Sequence, residues 1–561
     1  MSLSPTIVAH APRWPQLLLA LLACVLVASI WPVFGHIWDE PEHIAVGLAL
    51  IDHNVYRYDD QHPPLARLAA AIGPHLAGAR APGDARQDDG MNGEEAGRQI
   101  LYHSSASYDR LLRLARLGML PFLVVLIMAV WQWTWRYHGA TVAWLGSAFL
   151  LSTPVMLGHA GVVALDVPVT ALCTLSVYCL LRWLESPSLA RAALLGLAAG
   201  LAISTKLSAL PFIACAALAL LTAQVLCTRH AAPRPPLGRW VGGAAIALLI
   251  ALLTVIAAYG PHLIYLTTPD FAPNRALDLL VGSRGWLHDA GYRLAARFPV
   301  PLGVQEVPLN ILGVEWHNSH GHHAFLLGQT DLMGWWYFYP VALAVKTPLP
   351  LLLLGLTGLG LLAWRGWRAH SVPLLAAPLC FTVILVFCCS YSHINIGVRH
   401  VLVLYPLLAI GAAAATATLW ARWQGRAARA ALAALLLWQF STVATAYPDY
   451  LAYFNAFGGE HPERILVDSD LDWGQDLRRL SLELSRRRIP SVSLAYMGTA
   501  DLTREHLPPF TLLAPGQRAS GWIAVDMLSM KEEPGGYAWL ASQTPVTRVG
   551  KSIDLYYIAP R

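Results

Sequence analysis

The fold is decided by the apolar stretch PQLLLALLACVLVASIWPVF (residues 15–34), which is followed at once by the acidic stretch GHIWDEPEH (35–43). An apolar run of this length suffices to cross a bilayer. No small-residue A-x-A cleavage site follows it, so we interpret it as a retained first span rather than a secretory signal. Charges are costly in lipid. Carboxylates at the membrane boundary of the span therefore indicate a function that involves both lipid and water.

Composition extends this interpretation to the rest of the chain. Of its 561 residues, 56% are apolar and only 13% are charged, whereas soluble proteins carry about a quarter charged residues. Apolar runs long enough to span a bilayer recur, which predicts an α-helical polytopic membrane protein with membrane lipids as neighbours. The net charge of +5 is therefore no evidence for a nucleic-acid partner. All eight cysteines lie in apolar segments, so no disulfide framework is predicted.

The runs predict about eleven transmembrane helices, at residues 15–35, 117–135, 140–157, 166–184, 190–205, 207–227, 240–262, 346–364, 372–390, 400–420 and 428–446. With the N-terminus inside, the inner segments contain many arginines and a single acid, Glu185, as the positive-inside rule expects. These arginines are Arg13, Arg136, Arg182, Arg191, Arg229, Arg234, Arg239, Arg365, Arg368, Arg422, Arg426 and Arg429. An odd number of spans then puts the C-terminus outside.

Two regions follow from this topology. Residues 1–446 form the transmembrane domain, with long outer loops at 36–116 and 263–345. Residues 447–561 are too polar for the membrane and are predicted to form a small extracytoplasmic α/β domain. Its predicted elements are the strands RILVD (464–468), SVSLAYMG (491–498) and GWIAVDML (521–528) and the amphipathic helix DLRRLSLELSRRR (476–488).

Strongly polar residues at span ends collect on the predicted outer face, while the span centres contain almost no ionisable side chains. These residues are Asp39, Glu40, Asp166, Lys206, His262, Lys346, Arg399 and His400. An ion or proton pathway would need ionisable groups near mid-membrane, so the pattern disfavours a transporter. Carboxylates can take a proton from a hydroxyl acceptor, and cations can hold a phosphate leaving group. Together they favour an enzyme that acts on a lipid-linked phosphosugar.

The same residues lie in motifs that resemble the GT-C superfamily of lipid-carrier-dependent glycosyltransferases. The likeness is greatest to the bacterial branch related to protein O-mannosyltransferases and to the lipid A aminoarabinose transferase. It rests on the order and spacing of the motifs over residues 36–210, and the resemblance covers about three-quarters of the chain and weakens in the C-terminal region. The motifs are WDEPEH (38–43), DDQHPPLARL (59–68), ALDVPVTA (164–171), STKLSAL (204–210), GWWYFYPVALAVKTPLP (334–350) and GVRHVLVLYP (397–406).

The resemblance implies a GT-C fold and transfer of a sugar, with inversion, from a polyprenyl-phosphate donor to a hydroxyl acceptor. The reaction would take place on the periplasmic side of a bacterial inner membrane. By position, Asp39 would be the base or acceptor-orienting carboxylate, Asp166 a second acid and Lys206 a phosphate contact. Where the aminoarabinose transferases have an acidic residue and a lysine before PPL, this chain has Gln61 and His62. This departure makes Arg399 the more attractive phosphate ligand, because its planar fork suits bidentate contact.

Several assignments stay open at this stage. Glu40 is a catalytic candidate, although it points about 100° away from Asp39 on a helix. Further candidates for the donor phosphate or carrier are His62, His400 and Lys346, with Tyr453, Asn455 and His262 as additional members of the site. The acceptor could be a protein, a lipid or a glycan. A transporter or an assembly scaffold without transferase activity remains the alternative.

Metal binding is the last open question. The run EWHNSHGHHAF (315–325) offers His317, His320 and His322 as ligands of a divalent metal, but a histidine-rich loop surface explains it as well. The stretch DSDLDWGQD (468–476) has the alternating acids of a calcium loop but lacks the turn glycine and the closing glutamate. We interpret it as a strand-to-helix junction, and no cofactor is predicted with certainty.

Overall fold

The computed structural model describes residues 13–59, 61–83, 90–227, 236–532 and 535–560, with Arg13 described by its backbone alone. Asp60 of the second motif and the predicted inner-loop arginines Arg229 and Arg234 lie outside the described residues.

The first half of the chain is helical. Its helices are α1 (Arg13–Ile30), α2 (Glu40–His53), α3 (Leu65–Leu76), α4 (Gly93–His103), α5 (Tyr108–Leu117), α6 (Leu120–His138), α7 (Ala140–Leu151), α8 (Pro154–Ala160), α9 (Asp166–Glu185), α10 (Leu189–Ile203), α11 (Ala209–Cys227) and α12 (Leu237–Ala258). Helices α2 to α5 form the first long loop and pack around a shared apolar core. This core holds the loop that carries two of the sequence motifs against the bundle.

The second part of the predicted transmembrane domain begins with another long loop and ends in four long helices. The loop contains β1 (Leu263–Ile264), α13 (Arg275–Val281), α14 (Trp286–Arg297), β2 (Val300–Pro301), α15 (Leu302–His320), β3 (Ala324–Leu326), β4 (Gln329–Asp331) and α16 (Phe338–Lys346). The long helices are α17 (Leu349–Arg368), α18 (Val372–Tyr391), α19 (Leu404–Arg422) and α20 (Arg426–Ala446). Helices α17 and α19 pack closely where Gly358 faces Gly411, and a side chain at Gly358 would collide with the backbone of Gly411. The absence of side chains at these positions permits the close approach.

Eight helices in the described part of the chain are long and apolar enough to cross a membrane, or nine if the bent pair α7–α8 is one span. The bend in that pair is 66°. Helix α10 and the stretch Trp14–Ile30 of α1 are apolar but shorter, and they lie where the two remaining spans are predicted. The chain is therefore a multi-pass membrane protein. The count of eleven spans and the orientation remain predictions.

Opposite ends of the helices carry different chemistry. Helix α9 begins at Asp166 and ends at Glu185, whose carboxylate accepts hydrogen bonds from Arg136 at the end of α6, with an Nη2–Oε1 distance of 2.7 Å. Its 20 residues correspond to a length of about 30 Å at 1.5 Å per residue. The predicted inner-loop charges thus lie a membrane thickness away from Asp166.

The C-terminal region contains α21 (Leu477–Arg486), β5 (Val492–Ala495), β6 (Phe510–Leu512), β7 (Gly521–Asp526), α22 (Met527–Glu532), β8 (Thr547–Val549) and β9 (Ile553–Ile558). The strands form one mixed sheet in the order β6-β5-β7-β9-β8. Strand β5 is parallel to both of its neighbours, and the β7–β9 and β8–β9 pairs are antiparallel. This region contains both helices and strands, while its boundary at 447 and its assignment as a separate extracytoplasmic domain stay predictions.

One predicted strand is wrong. The stretch RILVD (464–468) is irregular and lies between two short 3-10 turns. Its apolar side chains do not alternate across a sheet, because Leu466 packs into the core of the helix bundle and Val467 packs against Phe325 and Ala452. This segment attaches the C-terminal region to the bundle.

Candidate active site

A cavity of about 830 Å³ lies at the end of the bundle where α9 begins. Its polar wall is built by the start of α2, the loop before α3, the joint between α10 and α11, and the turn before α19. Its apolar wall is built by α11, α15 and α18, and the segment after residue 467 closes a third side. Six of the sequence candidates for the reaction line it: Asp39, His62, Asp166, Lys206, Arg399 and His400.

Arg399 is held by two groups from distant parts of the chain. Its Nη1 donates to Asp39 Oδ2 at 2.7 Å, and its guanidinium carbon lies 4.2 Å from the centre of the Trp473 ring. Burial would lower the pKa of Arg399, but the nearby carboxylates of Asp39 and Asp166 raise it above its usual range. The Nε atom is buried and has no hydrogen-bond partner among the described residues. The fixed cation therefore keeps a donor for a further anionic group.

Lys206 forms the second pair of opposite charges. Its Nζ donates to Asp166 Oδ1 at 2.8 Å, and the Asp166 side chain is only 2% exposed. Asp166 opens α9, whereas Lys206 follows the end of α10, so the pair joins two helix ends at the cavity. Asp166 thus fixes the position of the lysine. The sequence predicts Asp166 as a second acid near the acceptor, whereas its pairing with Lys206 favours a positioning role.

Helix geometry separates two adjacent acids. Asp39 precedes the first turn of α2, and Glu42 and His43, three and four residues later, line the same cavity. Glu40 points elsewhere and is fully buried. It receives two hydrogen bonds of 2.8 Å from buried Arg116, and the backbone N–H groups of Ile37 and Val163 donate to it at 2.9 and 2.8 Å.

This environment argues against the prediction that Glu40 is catalytic. Its carboxylate oxygens are occupied by four protein donors, and it does not line the cavity. The arrangement ties the start of α2 to α5 and to the segment before α9. We assign Glu40 the structural task of stabilising this junction.

The loop before α3 brings His62 to the cavity. Its Nδ1 lies 3.0 Å from Asp59 Oδ2, and Asp59 also bonds to fully buried Arg67. Arg67 donates to the Tyr56 hydroxyl at 2.9 Å and to Glu42 at 3.5 Å. Burial and then the charge of Lys206 lower the pKa of His62 to about 3, so this ring is neutral at physiological pH.

Two further histidines of the cavity are also neutral. Burial is the main cause that lowers the pKa of His43 and of His400 well below the usual value, and nearby cations add to it. His43 Nδ1 and His400 Nε2 are buried without hydrogen-bond partners among the described residues. Neutral rings of this kind can orient a hydroxyl-rich ligand without adding positive charge.

Lys346 is not at the cavity, contrary to the prediction. The prolines after it end α16, so the lysine closes one helix instead of opening the next. Its fully buried Nζ donates to the backbone carbonyl groups of Leu451, at 2.9 Å, and Asp470, and lies 4.3 Å from the Phe454 ring. Burial lowers the pKa of Lys346 to about 8. It attaches the segment after the last long helix to the bundle.

Replacing Lys346 by methionine is expected to lower the free energy of unfolding by about 1–3 kcal/mol, because two buried carbonyl groups lose their donor. The wild type should also gain stability as the pH rises from about 8 to the ordinary lysine pKa of 10.5, because the unfolded chain then binds the extra proton. Chemical unfolding in detergent checks both effects, with exposed Lys551→Met as the control.

The remaining site candidates, Asn455, Tyr453 and His262, lie outside the cavity lining. Asn455 Nδ2 donates to the carbonyl groups of Ala344 and Thr347, both at 2.6 Å, so its amide joins two chain segments. Tyr453 is half-buried against the bundle, and His262 is exposed. None of the three predicted roles is supported by these positions.

The histidine-rich run divides into two parts. His317 and His322 line the cavity and bond to one another at 3.0 Å, and His317 Nδ1 lies 2.9 Å from Gln61 Oε1. His320 is exposed and stacks on Trp316. Within the described ranges, no group of three or more histidine, cysteine or acidic side chains is arranged to hold a metal ion. A requirement for a divalent metal stays an untested prediction.

The structure adds residues that the sequence reasoning missed. Glu42, His43, Asp59, Asp468 and Trp473 all line the cavity. The first three lie inside or beside recognised motifs, so their spacing could have indicated them. Asp468 and Trp473 follow the last long helix, and only their presence in the conspicuous DSDLDWGQD stretch singled them out.

Comparison with known proteins gives structural neighbours but no sequence relatives. No family model matches the chain, and no curated protein matches it. Among solved structures, it is similar to ArnT from Cupriavidus metallidurans bound to undecaprenyl phosphate, with 14% identity and a TM-score of 0.48 over 98% of this chain and 100% of that one. It is also similar to the oligosaccharyltransferase AglB from Archaeoglobus fulgidus in complex with an inhibitory peptide and a dolichol-phosphate. Here the identity is 10% and the TM-score 0.47, over 92% of this chain and 70% of that one.

A third neighbour is the protein O-mannosyltransferase Pmt1–Pmt2 complex of S. cerevisiae bound to the sugar donor, with 18% identity, a TM-score of 0.33, and coverage of 45% of this chain and 33% of that one. All three are GT-C glycosyltransferases, the superfamily that the sequence motifs resemble. Likeness at these identities and TM-scores concerns the fold at most. The function therefore has to be argued from the residues of the chain itself.

Proposed function

We propose that the protein is an inverting glycosyltransferase. It moves a sugar from a polyprenyl-phosphate-linked donor to a hydroxyl acceptor at the outer face of a bacterial inner membrane. One observation carries the proposal: two carboxylate–cation pairs, Asp39–Arg399 and Asp166–Lys206, meet in one cavity whose other wall is apolar. A lipid-linked phosphosugar has the matching division into an anionic, hydroxyl-rich head and an apolar tail.

The two cations are the phosphate ligands. Arg399 can offer a planar fork and Lys206 a compact charge, and both form their strongest hydrogen bonds with anionic oxygens. In the absence of the donor each cation is neutralised by its carboxylate, which keeps a buried charge from standing alone. When the phosphate binds, it competes with Asp39 for Arg399, and the Asp39 carboxylate is released toward the acceptor.

The apolar wall suits the carrier chain. Phe212 of α11 and Phe387 of α18 line the cavity. Leu210, Ile311 and Tyr391 line it as well and are also exposed on the molecular surface, so the wall continues to the outside of the bundle. A polyprenyl tail can therefore lie between the helices while its phosphate reaches Lys206.

The chemical step follows from these positions. The acceptor oxygen forms a bond to the anomeric carbon on the face opposite the phosphate, and the bond from that carbon to the phosphate oxygen breaks. The bonding electron pair leaves with the polyprenyl phosphate, whose charge Lys206 and Arg399 stabilise. The hydroxyl proton passes to a carboxylate of the cavity. Asp39 orients the acceptor or takes this proton.

Phosphate affinity provides a direct test. Replacing Lys206 by methionine removes a charge-assisted hydrogen bond, so the dissociation constant for undecaprenyl phosphate should rise about tenfold to a hundredfold. Because Lys206→Met also leaves Asp166 buried and unpaired, the double variant Asp166→Asn/Lys206→Met is measured beside it. Binding to protein in detergent is measured with Lys551→Met as the matched control. Unchanged affinity in both Lys206 variants would remove this residue from the phosphate site.

Two other classes of function make different predictions. A lipid or glycan transporter would move its cargo as well with asparagine at position 39 as with aspartate. An assembly scaffold would release no polyprenyl phosphate. Purified protein given undecaprenyl-phosphate-linked mannose, glucose, galactose or arabinose in turn, with solubilised membranes of the source organism as the acceptor pool, is expected to release undecaprenyl phosphate with at least one donor.

A further inference from the structure

The stretch DSDLDWGQD (468–476) forms one side of the cavity, although the proposed sugar transfer assigns it no role. Asp468 and Trp473 both line the cavity together with Asp39 and Arg399. Trp473 supplies the ring on which Arg399 lies. A segment beyond the last long helix thus belongs to the site itself.

Backbone contacts fix this segment to both halves of the site. The N–H groups of Gly35 and Trp38 donate to the carbonyl groups of Gln475 and Trp473 at 3.0 and 2.9 Å, next to Asp39. On the other side, the N–H of Val398, the residue before Arg399, donates to Asp470 Oδ1 at 3.1 Å. The segment is therefore connected to the residues that precede each member of the Asp39–Arg399 pair.

Asp468 differs from the paired acids of the cavity. Asp39, Asp59 and Asp166 each lie within ion-pair distance of an arginine or a lysine. In the described part of the chain, no such pair involves Asp468. Its charged neighbours are Arg399, Asp39 and Asp470, and Arg399 lies beyond ion-pair distance. The Asp468 Oδ1 atom accepts a hydrogen bond from the backbone N–H of Ser469.

The backbone at Asp468 is also unusual. Its φ angle is +50°, a left-handed conformation that aspartate and asparagine adopt more readily than most residues with a side chain. Glycine adopts it most easily. This preference permits substitutions that remove the carboxylate without disturbing the turn.

We propose that Asp468 binds the acceptor hydroxyl opposite Asp39 and takes its proton as the hydroxyl oxygen attacks the anomeric carbon. This rests on the proposed sugar transfer and refines it, because Asp39 then orients the acceptor and controls Arg399. The donor sugar is displaced from the phosphate, the phosphate leaves with the bonding electrons, and the proton stays on the Asp468 carboxyl. The acceptor thus lies between the first outer loop and the C-terminal segment.

The charge environment of Asp468 suits a proton acceptor. Burial, and then the neighbouring negative charges of Asp39 and Asp470, raise its pKa to about 6, although Arg399 opposes the shift. A base is most effective when its pKa lies near the working pH. The cavity histidines His43, His62, His322 and His400 have lowered pKa values and stay neutral in this range.

The test is the pH dependence of kcat/KM for the donor, which reports ionisations of the free enzyme and the free donor. The donor is a phosphate diester and has no ionisation near pH 6. In the wild type, kcat/KM should fall tenfold for each pH unit below about 6. In Asp468→Asn and Asp468→Gly it should be about 10²- to 10⁴-fold lower at neutral pH, without this acidic limb. Glu460→Gln, an exposed residue of the same region, is the control.

Each outcome has a distinct meaning. Loss of activity and of the acidic limb, with the dissociation constant for undecaprenyl phosphate unchanged, supports the assignment and excludes a merely structural effect. If the Asp468 variants keep both the rate and the limb, or if Asp39→Asn alone removes the limb, Asp468 is not the base and the assignment is overturned. A wild type that releases no undecaprenyl phosphate with any donor would instead contradict the sugar transfer itself.

Discussion

Asp39→Asn is expected to reduce sugar transfer by about 10²- to 10⁴-fold while the protein remains folded. Asparagine keeps the shape of the side chain and can still accept a hydrogen bond from Arg399, but it has no negative charge with which to polarise the acceptor hydroxyl. The rate should fall whether Asp39 takes the proton or only orients the acceptor. Release of undecaprenyl phosphate by the purified variant measures the effect.

The matched control for this prediction is Glu95→Gln, which neutralises an exposed acid of the same outer loop. It should retain wild-type activity. Undecaprenyl phosphate should bind the Asp39 variant at least as tightly as the wild type, because Arg399 is less strongly held by its own partner. Full activity of Asp39→Asn would show that the Asp39–Arg399 pair is only structural.

Glu40→Ala, one residue further along the chain, is expected to have a different consequence. It leaves the Arg116 guanidinium, which is only 1% exposed, without a counter-charge. Breaking a buried pair in this way costs about 3–5 kcal/mol of stability. Two backbone N–H groups also lose their acceptor. Unfolding of the variant in detergent should show this loss directly.

A double variant separates the cost of leaving the Arg116 charge unpaired from the cost of losing the Glu40 carboxylate itself. In Glu40→Leu/Arg116→Met both charges are gone, so part of the lost stability should return. Transfer by the folded fraction of either variant should stay within a few-fold of the wild type, since Glu40 does not line the cavity. A Glu40→Ala protein of wild-type stability with no activity would restore Glu40 as a catalytic residue.

Much of the fold could be predicted because membrane spans are local features of sequence. Each of the eleven predicted spans coincides with an apolar helix, although the structure breaks one of them at Thr153 and shortens two. Prolines explain the displaced boundary at Lys346. The strand predicted at RILVD failed because burial against another part of the chain, rather than alternation, determines where its apolar residues lie.

From the sequence, the site could be predicted only as a set of polar residues at the ends of the spans. The arginine bias sorted the polar span ends by face, and six residues that the structure brings to one cavity were among the candidates: Asp39, His62, Asp166, Lys206, Arg399 and His400. The sequence does not show which charges pair with each other. Glu40 and Lys346 were included because position alone cannot distinguish a residue that faces a cavity from one enclosed by protein donors and acceptors.

The C-terminal contribution was the part least accessible from sequence. The segment that carries Asp468 and Trp473 is held at the cavity by hydrogen bonds from the N–H groups of Gly35 and Trp38 to the carbonyl groups of Gln475 and Trp473, more than 400 positions later in the chain. Such long-range contacts leave no periodic pattern in the chain. The local sign in the sequence was a run of alternating acids that did not fit a calcium loop.

The most direct test of the account is a structure of the protein with an undecaprenyl-phosphate sugar bound. We predict that the phosphate contacts Lys206 and Arg399, that the polyprenyl chain lies along α11 and α18, and that the anomeric carbon faces the Asp39 side of the cavity. A phosphate bound elsewhere on the protein, with the Asp39–Arg399 and Asp166–Lys206 ion pairs still intact, would contradict the proposed function.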